Sequence, residues 1–185
     1  MIHLKQLKSM VAISAIILTT LPLMAQQKRV SPHETISAVI DGNRVTLTYG
    51  RPYTKDSRSG AVRKIWGGLV PYGQPWRMGA DEATILITQK ALTVGDKTIP
   101  AGAYTLYLIP SETATSQLVF SSALGGWGIP VDTKHDIAKV DVTKATLDTP
   151  LDQFAMAVSK NSAGGGLLKL SWESTQFSVP FTVAK

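Results

Sequence analysis

The chain has 185 residues, 44% of them hydrophobic, no cysteine, and a formal net charge of +6. Without cysteine there can be no disulfide, no cysteine nucleophile and no lipid-modified cysteine. The positive balance is modest and spread out, which excludes the clustered basic face of a nucleic-acid binder.

At the N-terminus, Lys5 and Lys8 precede the apolar run Met10–Leu23, and "LMAQQ" follows. This charged, apolar, small-residue order predicts a secretory signal peptide over residues 1–25, cut after Ala25. The apolar run of about 14 residues is short of the ~20 that cross a bilayer, so no stable membrane span is expected after cleavage. The mature chain, 26–185, is the size of one domain. The prediction is an exported protein, periplasmic or extracellular.

From residue 37 onward the pattern alternates with a period of two, the signature of half-buried strands. Val45, Leu47 and Tyr49 share one face, after a hairpin turn at Asp41–Gly42. Ala83, Ile85 and Ile87 form the next alternating set. "LTVGDKTI" predicts a second hairpin turning at Gly95–Asp96. "GAYTLYLIP" places Tyr104, Leu106 and Leu108 on one face, and "SQLVFSS" adds a short apolar run. Toward the C-terminus the inward sets are Ala138, Val140, Val142; Phe154, Met156, Val158; Leu168, Leu170, Trp172; and Phe177, Val179, Phe181, Val183. Pro180 faces outward in the last set and predicts an edge strand. Roughly nine or ten such strands make an all-β, single antiparallel β-sandwich or flattened barrel.

Two segments break the alternation. Residues 51–82 are rich in Arg, Gly and Pro, and "SGAVRKIWGGL" has room for one short helical turn. Residues 122–137 form a second irregular insert. Ile65, Trp66, Leu69, Trp76 and Trp127 predict that both loops pack rather than dangle. Loops this long inside a domain are functional or disordered. The "NSAGGG" run at 161–166 reads as a flexible hairpin tip. Lys55, Arg58, Arg63 and Lys64 read as a solvated loop surface.

No zinc-protease helix motif, serine elbow, phosphate loop or dinucleotide fingerprint is present. After signal cleavage His33 and His135 are the remaining histidines. Their neighbours Glu34 and Asp136 point the opposite way in an extended chain, so no metal site and no cofactor are expected. The group with chemical potential is Arg51, Tyr53, Tyr72, Trp76, Arg77, Asp81, Glu82 and Trp127. Arginine suits fixed contact with carboxylate, phosphate or sulfate, and tryptophan offers a flat surface for guanidinium or sugar rings. These are the parts of a small anion or saccharide pocket. The same parts also make a structural clamp, with Arg77 paired to Asp81 or Glu82 and the tryptophans capping the sandwich.

The segments "YGRP", "KIWGGLVPYGQPWRMGADEAT", "IPAGAYTLYLIP", "GGWG" and "HDIAKVDV" resemble the bacterial family known as domain of unknown function 2911, across about Ser31 to Val183. The family motif usually carries Asn where this chain has Asp81, and the Thr54–Ala61 stretch is longer than its usual pattern. The resemblance implies an exported, β-rich bacterial protein and assigns no activity. Three readings stay open on the sequence: a binding module for a small anionic or saccharide ligand, an envelope hydrolase using Glu82 and Arg77, and a purely structural envelope protein. The sequence carries no signal for oligomeric state.

Overall fold

A computed structural model describes residues 30–184; the signal segment expected over 1–25 lies outside them. The strands are β1 (His33–Ile40), β2 (Asn43–Gly50), β3 (Thr84–Thr88), β4 (Leu92–Val94), β5 (Lys97–Ile99), β6 (Gly102–Ile109), β7 (Ser116–Ser121), β8 (Asp136–Lys160) and β9 (Gly166–Val183). Among the described residues one 3-10 turn, Thr133–His135, leads into β8. All nine strands form one antiparallel sheet in the order β1-β2-β3-β6-β7-β8-β9-β4-β5, and the sheet is not closed into a barrel. Among the described residues no helix is long and apolar enough to cross a membrane.

The sheet folds over through its two longest strands. β8 pairs with β7 as far as Val142 and with β9 from Thr143 onward. Its two halves therefore serve two facing layers. Val45, Leu47, Leu86, Leu106, Leu118 and Phe120 of the first layer meet Phe154, Met156, Leu168, Leu170, Trp172 and Phe177 of the second in one buried core. Past β2, the chain re-pairs across the layers: Thr54 N donates to Asp152 O, and Phe154 N donates to Pro52 O, at 2.7 and 2.9 Å. The Tyr49 hydroxyl accepts from Met156 N at 2.9 Å and donates to Glu34 Oε2 at 2.6 Å.

The hairpins expected at Asp41–Gly42 and Gly95–Asp96 are both present, closed by Ile40↔Asn43 and Val94↔Lys97. Asp41 and Gly42 both take positive φ, as the mirror-image turn requires. Three expectations need correction. In β3 the inward residues are Thr84, Leu86 and Thr88, while Ile85 and Ile87 turn outward. The buried hydroxyls are satisfied: Thr84 Oγ1 donates to Met78 O at 2.6 Å, and Thr88 Oγ1 donates to Lys90 O at 2.7 Å and accepts from Asn43 Nδ2 at 2.8 Å.

Pro180 does not mark an edge strand, because β9 lies between β8 and β4. It falls between the last β8 pair, Thr143↔Ser178, and the β4 pair Thr93↔Thr182, where the ladder asks for no N–H. Residues 61–70 hold a closed turn, with Leu69 N and Val70 N donating back to Lys64 O and Ile65 O, and no helix. The run at 161–166 forms the expected hairpin tip, with Asn161 N donating to Gly165 O at 2.9 Å, and it packs at its far end, where a Cβ on Gly166 would lie 2.2 Å from Phe181 Cζ.

Candidate functional site

The 51–82 loop is held at both ends by features its sequence supplies. At its start, a Cβ on Gly50 would lie 2.1 Å from Ala80 O, so only glycine lets the two ends of the loop cross. Near its end, Trp76 exchanges two backbone hydrogen bonds with Leu108 of β6, at 2.7 and 2.8 Å. That pairing lays the Trp76 ring on the aromatic core. It stacks on Trp172 with centroids 5.8 Å apart and planes at 18°, and meets Trp66 and Phe154 edge-on. Trp76 is half-buried.

Arg77, next along an extended segment, reaches the other insert. Its Nη1 donates to Trp127 O at 3.1 Å, its Nε to Gly79 O at 3.4 Å, and its Cζ lies 5.6 Å from the Trp127 ring centroid. Burial holds the guanidinium below its ordinary pKa, while the charges of Asp81 and Glu82 pull it back up. Those two carboxylates make their contacts with His33 Nε2, at 3.3 and 3.5 Å. The clamp read from the sequence therefore exists with different partners: Arg77 joins loop to loop through carbonyls and a ring, and the acids join the loop to β1.

Arg51 ties layers together. Its Nε donates to Phe154 O at 3.1 Å and lies 3.3 Å from Glu34 Oε2, and its carbonyl accepts from Gln153 Nε2 at 3.0 Å. Tyr72 packs beneath Gly67 and lies under Lys144 Nζ at 6.0 Å. Trp127 and Leu69 stay about half exposed, at 55% and 47%, so the inserts are packed less completely than their apolar content suggests.

Two cavities adjoin this loop and share Arg77 and Ile129 as lining residues. The first, of about 320 Å³, is lined by Tyr53, Lys55, Arg63, Trp76, Arg77 and Trp172, among others, and by no acidic residue. Trp172 is fully buried, and its indole N–H finds no acceptor among the described residues. The second, of about 180 Å³, is lined mainly by apolar groups, with Trp127 on its wall. Of the eight residues suspected from sequence, Tyr53, Trp76 and Arg77 line the cationic cavity. Trp127 lines the apolar one, and Arg51, Tyr72, Asp81 and Glu82 line neither.

Lys55, Arg63 and Trp172 were missed. Lys55 and Arg63 come together because residues 54–63 form a small hairpin, bridged at Lys55↔Val62 and by Arg63 N to Thr54 O at 3.0 Å. Asp56 builds its turn, accepting from Arg58 N, Ser59 N and Ser59 Oγ, and these bonds hold its carboxyl below the usual range. An Asp followed four residues later by Gly is the turn signal that gives this away. Trp172 carried no signal beyond its place in an alternating strand.

The motif that organises the loop can be placed against known proteins. Residues 31–181 match the family described as "Protein of unknown function (DUF2911)". The chain belongs to this family. No curated protein and no solved structure matches the chain. Asp81 has φ 63, a left-handed conformation that Asn and Asp tolerate better than other side chains. The position selects backbone shape first. Among the described residues no cluster of three or more His, Asp or Glu could hold a metal ion.

Proposed function

We propose that this DUF2911 protein is an exported binding module for a small anion, using the cavity between the 51–82 loop and the Ile129 segment. The observation that carries the reading is the composition of that cavity: Lys55, Arg63 and Arg77 line it, and no carboxylate does. An anionic group in the cavity would neutralise the cations. The stacked Trp76 and Trp172 rings supply a rigid floor at low entropy cost. A saccharide is accommodated to the extent that it carries an acidic group.

The test is calorimetric titration of the purified protein with acetate, phosphate, glucuronate and glucose, at 20 and 200 mM salt. The expected result is binding of at least one anion that weakens with salt and falls about tenfold or more in Lys55→Glu. Glucose binding as tight as glucuronate, unaffected by Lys55→Glu, would overturn the anion reading in favour of ring stacking alone.

A further inference from the structure

The second cavity sharpens the nature of the ligand. Its walls include Leu106, Leu124, Trp127, Ile129 and Val131, with one acidic residue, Asp132, and it shares Arg77 and Ile129 with the cationic cavity. Around it, Leu124, Trp127 and Ile129 are 51%, 55% and 59% exposed. Apolar groups gathered at a concave, solvent-open mouth are the usual lining of a ligand site. Its volume of about 180 Å³ compares with the ~150 Å³ apolar cavity that holds a benzene-sized guest. Two adjacent cavities that share Arg77 and Ile129 therefore differ in chemistry: one is cationic, and the other fits a group of about six carbons.

We infer that the two cavities take a single amphiphilic anion, its charged head among Lys55, Arg63 and Arg77 and its short apolar tail beside Leu106, Trp127 and Ile129. This rests on the anion-binding reading above and goes further by fixing the ligand class: a carboxylate or phosphate monoester bearing a short acyl or aromatic group. Arg77 is the hinge of the arrangement. It lines both cavities, and its contacts with the Trp127 carbonyl and ring hold the wall of the apolar cavity in place. Gly128 lets that wall close in, since a Cβ there would lie 2.9 Å from Ala83 Cβ and 3.1 Å from Arg77 Cβ.

The experiment is calorimetric titration of the purified protein with straight-chain carboxylates from acetate to decanoate, with hexanol as the uncharged control. Affinity should rise about fourfold per methylene, the equivalent of about 0.8 kcal/mol for each CH₂ buried, and level off once the tail fills the cavity. Ala123→Phe, which fills the tail cavity, should erase the chain-length gain and leave acetate binding unchanged. Leu124→Asn, at a half-exposed mouth position that folding tolerates, should lower octanoate affinity several-fold without touching acetate. Equal affinity for acetate and octanoate would overturn the amphiphile and leave the anion site standing. Hexanol binding as tightly as hexanoate would also overturn it, by making the apolar cavity an independent site. Failure of every carboxylate and of phosphate to bind would remove both readings together.

Discussion

Replacing Tyr49 by Phe removes one oxygen from the joint between the two layers, on a residue only 2% exposed. That oxygen accepts from Met156 N and donates to the Glu34 carboxylate, so the substitution leaves a buried N–H without its partner. The expected cost is about 1–3 kcal/mol. The pH dependence makes the argument sharper. Burial first, and then the hydrogen bond to Glu34, pushes the phenol from its ordinary 10.0 up to about 12. As pH rises the unfolded chain therefore releases this proton before the folded chain does. The stability tied to the raised pKa is whole below pH 10 and is lost as pH climbs to about 12; its full size is about 3 kcal/mol. Urea unfolding of wild type and Tyr49→Phe should be compared at pH 8, 10, 11 and 12. Lysines and the other tyrosines titrate in both proteins and cancel. The stability gap should stand at about 1–3 kcal/mol at pH 8 and shrink steadily from pH 10 to 12. A gap that stays constant over that range would refute the account of Tyr49 as a buried, carboxylate-bonded phenol.

Three further outcomes are expected. Arg77→Ala severs the carbonyl bonds and the ring contact that join the two inserts, costing about 2 kcal/mol. Calorimetry should show a melting temperature about 4–8 °C lower, and limited proteolysis should speed up within residues 122–132. Gly50→Ala drives a methyl into the Ala80 carbonyl and should cost about 3 kcal/mol, read as a fall in the urea midpoint. Asn43→Ala removes a fully buried amide whose Oδ1 accepts from Gln89 N and Lys90 N and whose Nδ2 reaches Thr88. Its cost should also be about 3 kcal/mol, with faster amide exchange at Gln89 and Lys90.

The fold was legible wherever inward positions were apolar and outward ones polar, as in β2, the N-terminal half of β8, and β9. It misled in β3, because alternation cannot say which face is inside when Thr84 and Thr88 find hydrogen-bond partners and Ile85 and Ile87 do not need them. Pro180 misled for a related reason. The rule about proline concerns a missing ladder bond, and a strand that changes partners has a place where none is made. At the site, the loop motif drew attention to Trp76 and Arg77, which line the cationic cavity. The remaining cavity residues lie far apart in sequence, and their meeting depends on the 54–63 hairpin and on the point where β9 crosses the core. Arg51, Asp81 and Glu82 looked chemical because their residue types are; the contacts they make, to Phe154 O, Glu34 and His33, are architectural.

β8 runs for 25 residues and β9 for 18, and β8 passes from one layer to the other without a break. Such a fold cannot breathe like a clam. Sliding or parting the layers would tear the ladder where β8 changes partners at Val142–Thr143. Motion that admits or releases a guest must then come from the fingers of chain laid across the top, the 54–63 hairpin and the segment carrying Trp127. The protein is built as a stiff palm with two loose digits, and the amides of the palm should outlast those of the digits by orders of magnitude in deuterium exchange.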